Sequence, residues 1–95
     1  MIVNFKKTKT QTEKVFNRDH VKALPADIQE RALFKLLAIH YAMKIEDLKI
    51  PAGNQLEMLK GNRKGQYSIR INKQWRICFR FEHGDAYDVE IVDYH

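Results

Sequence analysis

The strongest constraint on this chain is a run of three period-two segments between Tyr67 and Ile91. Tyr67, Ile69 and Ile71 alternate with Ser68, Arg70 and Asn72. Trp75, Ile77, Phe79 and Phe81 alternate with Arg76, Cys78 and Arg80. Tyr87, Val89 and Ile91 alternate with Asp88, Glu90 and Val92. The links are Asn72-Lys73-Gln74 and Glu82-His83-Gly84-Asp85, too short for anything but hairpins. Three such strands predict an antiparallel meander with one apolar face. Leu56 to Lys60 reads as a further short strand, joined by a loop with Gly61 and Gly65 at its ends.

The first half has a different period. Ile28, Ala32, Leu33, Leu36, Leu37 and Ile39 form one helical stripe after Pro25, predicting a helix over about Ala26 to Ala42. His40 and Tyr41 near its end read as packing or edge residues. Thr10 and Glu13 have the spacing of a capping box, so a shorter helix is expected from near Gln11 to about Asp19, burying Val15 and Phe16. Ile2 to Phe5 is a candidate first strand, and Lys44 to Asn54, with Pro51 and Gly53, a connecting loop. The expectation is one α+β domain over residues 1–95: two N-terminal helices packed on one face of a curved antiparallel sheet.

Strand alternation assigns Tyr67, Ile69, Ile71, Trp75, Ile77, Phe79, Phe81, Tyr87, Val89 and Ile91 to the helix side. Ser68, Arg70, Arg76, Cys78, Arg80, Asp88, Glu90, Val92 and Tyr94 then share the other face. That face holds too many charges to be a second core. From Met58 to Arg80 there are seven basic residues and no acid; from Phe81 onward there are five acids and no Lys or Arg. Two readings fit this polarity. Neighbouring strands would form cross-strand ion pairs, Arg80 and Arg76 with Asp88 and Glu90. Alternatively, an arginine surface suited to phosphate borders acid–base residues. Lys60, Arg63 and Lys64, on or beside the loop, would then hold a nucleic-acid backbone by charge.

The net charge of +5 is compatible with nucleic acid or an acidic protein partner. One cysteine, Cys78, precludes an internal disulfide. With no apolar leader at Met1 to Lys7 and no stretch long enough to span a membrane, the expectation is a soluble cytoplasmic protein. The four histidines and Cys78 show no ligand spacing, so no metal and no cofactor are expected. Gly61 and Gly65 lack the following Lys-Ser/Thr of a phosphate loop, and nothing near Ser68 suggests a nucleophile.

Asp93-Tyr94-His95 places three kinds of ionisable group at a strand end. One reading is a frayed tail. The other is acid–base chemistry. Cleaving RNA without a metal requires taking the 2′-OH proton, stabilising charge on phosphorus and protonating the 5′-oxygen. Histidine suits either proton task, tyrosine can hold a ribose or stack on a base, and aspartate can fix an imidazole or act as a base.

The segments LEMLKG (56–61), GQYSIRIN (65–72), QWRICF (74–79) and GDAYDVEIVDYH (84–95) resemble the HigB toxins of the RelE/ParE superfamily. The resemblance is dense over the last part of the chain and covers the helices in kind and order. It implies the toxin of a type II toxin–antitoxin system: a ribosome-dependent endoribonuclease that cuts mRNA in the A site. It also implies a helix-turn-helix HigA-type antitoxin as partner in a hetero-oligomer, the toxin itself being monomeric. By the same resemblance Lys60 contacts RNA, Arg76 stabilises the scissile phosphate, and Asp93, Tyr94 and His95 line the catalytic centre. Arg70 and Lys73 join the RNA-binding set with Arg63 and Lys64. Two positions depart from the pattern. Glu57 stands where some members carry a catalytic histidine, leaving it a general base, a structural residue or inert. Asn72 replaces a second basic strand residue. The alternative is a non-enzymatic ParE-like toxin that inhibits DNA gyrase by binding; a plain RNA-binding adaptor is a third reading.

Overall fold

A computed structural model describes residues 1–94; His95 lies outside the described residues. Two helices precede four strands: α1 (Thr12–Phe16), α2 (Ala26–Tyr41), β1 (Glu57–Met58), β2 (Tyr67–Arg70), β3 (Trp75–Glu82) and β4 (Asp85–Asp93). The strands form one antiparallel sheet in chain order, as the hairpin-length links require. The β3–β4 turn has His83 and Gly84 both at positive φ, the conformation that lets a two-residue turn follow the strands' twist. The chain is α+β.

Helix α2 begins directly after Pro25 and buries Ile28, Ala32, Leu36 and Ile39, spaced by three or four residues on one stripe. These join Val15 and the sheet residues Ile69, Ile77, Phe79, Val89 and Ile91 in one core cluster. Gln29 pins the preceding loop, accepting from Val21 N at 2.9 Å and donating to Val21 O and Leu24 O at 2.8 and 3.1 Å. Tyr41, expected to pack or sit at an edge, is exposed. His40 rests between Phe16 and Tyr41, and its Nδ1 accepts from Ile2 N at 3.1 Å. The loop after α2 carries two 3-10 turns, Ile45–Lys49 and Ala52–Asn54, which bury Leu48 and Asn54.

Three expectations change. Helix α1 is a single turn and has no capping box; Gln11 at its start is left-handed and caps nothing. The threonines work across the chain instead. Thr10 Oγ1 donates to Ile91 O and Thr12 Oγ1 accepts from Ile91 N, both at 2.9 Å. They satisfy both backbone groups of Ile91 on the outer edge of β4, where no strand does so. The N-terminal segment is not a named strand. It makes two parallel bridges to β4, Ile2 with Ala86 and Phe5 with Val89.

The third change concerns parity. Cys78 pairs with Glu90 and Arg80 with Tyr87, so Asp88 and Val89 together oppose Phe79. This is a β-bulge, with Asp88 at φ 53. Asn4 clasps it, its Oδ1 accepting from Asp88 N at 2.8 Å and its Nδ2 donating to Asp88 Oδ1 at 3.3 Å. The extra residue reverses alternation. Ala86, not Tyr87, fills the core position, and Tyr87 joins the arginine face with the Arg80 guanidinium 5.0 Å from its ring.

Thr12→Val keeps the side-chain shape but leaves the buried Ile91 N–H without an acceptor. It should cost about 1–3 kcal/mol, read as a lower urea midpoint at unchanged slope.

Candidate functional site

The polar face is not an open plane of solvated charges. At its centre Ser68 and Cys78 are fully buried, and Arg76 and Glu90 nearly so. Ser68, Arg76 and Cys78 lie on strands paired on both sides, and all four side chains are buried, so their polar atoms need partners within the protein. Burial pushes the Cys78 thiol up from its usual range. Glu90 is held by Arg63 Nη1 at 2.8 Å, with Lys6 Nζ at 3.7 Å. The bond to Glu90 in turn raises the Arg63 pKa. Arg80 pairs with Asp88 at 3.1 Å and Glu82 at 3.5 Å. The expected Arg80–Asp88 pair is therefore present, whereas Glu90 takes Arg63 rather than Arg76.

Arg76 sits on β3 directly opposite Arg70 on β2. Like charges facing each other across strands oppose folding unless something else compensates. Arg76 Nε donates to Ser68 Oγ at 2.8 Å, and one terminal nitrogen donates to Gln55 O at 2.6 Å and Ser68 O at 3.4 Å. Its other terminal nitrogen lies 3.8 Å from Glu57, whose side chain is half exposed. The ring of Tyr94 stands 5.7 Å from the guanidinium carbon. Tyr94 is held by its backbone N–H, which donates to Gln74 O at 2.6 Å. Among the described residues, Arg70 and Lys73 have no carboxylate partner.

Gln55, Arg70, Asn72, Lys73, Arg76 and Tyr94 line one pocket of about 320 Å³. Asn72 shapes its rim, with Oδ1 accepting from Gln74 N and Trp75 N at 2.8 Å each. Three cations around a small pocket, with an aromatic ring at its side, suit a phosphodiester and its sugar or base. The same cations repel a divalent metal ion, and no cluster of three metal-ligating side chains occurs among the described residues.

The expected site residues therefore separate. Arg70, Lys73, Arg76 and Tyr94 come together, with Glu57 beside Arg76. Asp93 does not join them. It is paired with Trp75 in the sheet, so alternation sends it to the opposite face, where Gln74 Nε2 donates to both its oxygens at 3.3 Å. His95, expected at the same centre, lies outside the described residues. Lys60 and Lys64 are exposed around a separate groove with Met58 and Leu59. Arg63, expected to touch RNA, is part-exposed and donates to Glu90. Sequence reasoning missed Gln55 and the role of Ser68, because a backbone carbonyl and a small buried hydroxyl leave no local signal.

Arg63→Ala should act on stability. Glu90 would stay buried with only the longer Lys6 contact, costing about 1–3 kcal/mol in chemical denaturation.

The family described as RelE-like toxin of type II toxin-antitoxin system HigB matches residues 4–95. The chain is 48% identical over 66 residues to Toxin HigB-1 of Vibrio cholerae, covering 68% of each protein. It is 37% identical over 81 residues to Endoribonuclease HigB of Proteus vulgaris, covering 85% of this chain and 87% of that one. Among solved structures, a YoeB-YefM toxin-antitoxin complex from Staphylococcus aureus contains a chain of the same fold. Its TM-score is 0.59 at 19% identity, over 97% of this chain and 95% of that chain. A match across nearly the whole sequence, together with a shared fold, makes this chain a member of the HigB-like family of RelE-like toxins of type II toxin–antitoxin systems.

Proposed function

We propose that this toxin is an endoribonuclease that cuts mRNA on the translating ribosome, without a metal ion, and so stops protein synthesis and growth. The observation that carries this reading is the buried Arg76 guanidinium, held by protein acceptors and lining a small open pocket together with Arg70, its neighbour across the strands. A phosphodiester gains negative charge as the 2′-oxygen attacks, and fixed cations there lower the barrier. Arg76 and Arg70 stabilise the phosphate, and Lys73 approaches the neighbouring backbone. Tyr94 holds the ribose or stacks on a base. Lys60 and Lys64 bind RNA or ribosome by charge along their own groove.

Proton transfer falls to groups near the Arg76–Tyr94 end. His95 follows Tyr94 in the sequence, and an imidazole is a side chain that can take or give a proton. Glu57 is a carboxylate 3.8 Å from Arg76, placed beside the phosphate-binding guanidinium where a base is needed. Asp93 supports the terminal segment through Gln74 rather than touching the reacting atoms. In this reading two helices cover one face of a curved sheet and leave the other to RNA. The relative from Proteus vulgaris is named an endoribonuclease, which supports the same chemistry here. The partner in the cell is a HigA-type helix-turn-helix antitoxin, and the site of action is the cytoplasm. No helix among the described residues is long and apolar enough to cross a membrane.

Mapping new mRNA 5′ ends in a translating extract tests this. Arg76→Ala and His95→Gln should each lower cleavage by roughly a hundredfold or more while still binding the antitoxin. Full cleavage by Arg76→Ala would remove the arginine from the chemistry. Intact mRNA with wild-type toxin, alongside inhibited gyrase supercoiling, would reject the nuclease reading altogether.

A further inference from the structure

Arg76 is buried, yet its charge is not cancelled by what holds it. Its Nε and one terminal nitrogen are taken by neutral acceptors: the Ser68 hydroxyl, Ser68 O and Gln55 O. Only the other terminal nitrogen turns toward a charge, and Glu57 is a loose 3.8 Å away on the exposed edge strand. Neutral acceptors fix the orientation of a guanidinium while leaving its positive charge for a ligand. A carboxylate in either place would do the first and destroy the second.

The Gln55 carbonyl is itself held in an unusual way. Gln55 lies at φ 45, ψ 55, left-handed backbone that residues with a Cβ rarely adopt. Its side chain is exposed, so core packing does not require this conformation. Asn54 just before it is 1% exposed and fully bonded. Asn54 Nδ2 donates to Leu48 O at 3.1 Å and Ile50 O at 3.4 Å, and its Oδ1 accepts from Lys35 Nζ on α2. The turn is thereby tied to the helix layer, and its strained end aims a carbonyl at Arg76.

We infer that Ser68 and the Asn54–Gln55 turn are positioning residues, a neutral cradle that presents the Arg76 guanidinium to the scissile phosphate. The inference rests on the reading of Arg76 given under the proposed function. Neither Ser68 nor Asn54 lines the pocket, so both act through Arg76. The cradle exists before substrate arrives, which spares the reaction a reorganisation step.

The test is cleavage of ribosome-bound mRNA by the full-length toxin, with rate and half-saturating ribosome concentration read separately. Ser68→Ala should lower the maximal rate about tenfold, leave half-saturation within about twofold, and be rescued by Ser68→Thr, which restores the hydroxyl. Asn54→Asp, which loses both donors and keeps the Lys35 contact, should show the same split and stands in if Ser68→Ala does not fold. In Arg76→Ala the cradle is vacant, so added methylguanidinium ion should restore part of the cleavage, and less when Ser68→Ala is added. Wild-type rates in both cradle variants, with Arg76→Ala inactive, overturn the cradle and spare the functional reading. Loss of rate that tracks melting temperature, with no rescue by Ser68→Thr, overturns it as well. An Arg76→Ala protein that cleaves as wild type overturns the functional reading and the cradle with it.

Discussion

Strand β3 is paired on both sides, and most of what distinguishes this molecule follows from that. Its odd-numbered residues, Trp75, Ile77 and Phe79, fill the core under the helices. Its even-numbered residues, Arg76 and Cys78, have nowhere to go but the middle of the opposite face. A buried guanidinium without partners would cost more than a small domain can tolerate. The surrounding chain is arranged to satisfy it. Ser68 comes from β2, the Gln55 carbonyl from the turn before β1, and Tyr94 from the end of β4. One polar residue on a central strand thus organises three separate segments.

The same face shows two ways of handling buried charge. Glu90 is neutralised by Arg63 and Lys6, which ties the loop after β1 and the N-terminal segment to β4. Arg76 is oriented mainly by neutral groups and keeps its field. The first arrangement fixes loops in place. The second resists folding, more so with Arg70 opposite, and is repaid when an anion arrives. The contrast separates the arginines by role more sharply than exposure does, since Arg63 and Arg70 are both part-exposed.

The bulge at Asp88 has a local cause and a wider effect. A left-handed residue inserted in β4 lets Ala86 fill the small core position and turns Tyr87 out beside Arg80. Asn4 bonds the displaced backbone, so the N-terminal segment both covers the sheet edge and stabilises its irregularity. Thr10 and Thr12 extend the cover to Ile91. An exposed β4 edge would invite pairing with another chain; this one is closed by the first twelve residues.

The sequence by itself determined the α+β class, the meander, the long helix after Pro25 and the gathering of Arg70, Arg76 and Tyr94 on one face. These follow from local periodicity, which hydrophobic burial enforces residue by residue. It could not determine Tyr87's face, because one extra residue reverses strand parity and Asp88 carries no mark of a left-handed backbone. Nor could it tell that Thr10 and Thr12 serve Ile91 rather than a helix start, or that Arg63 belongs to Glu90. Those pairings join residues 27 and about 80 positions apart in the chain. Only packing decides them, because a buried donor takes whichever acceptor the fold brings within reach. The cradle of Arg76 is the clearest case: a serine hydroxyl and a backbone carbonyl become a site only when the sheet and the turn close around one guanidinium.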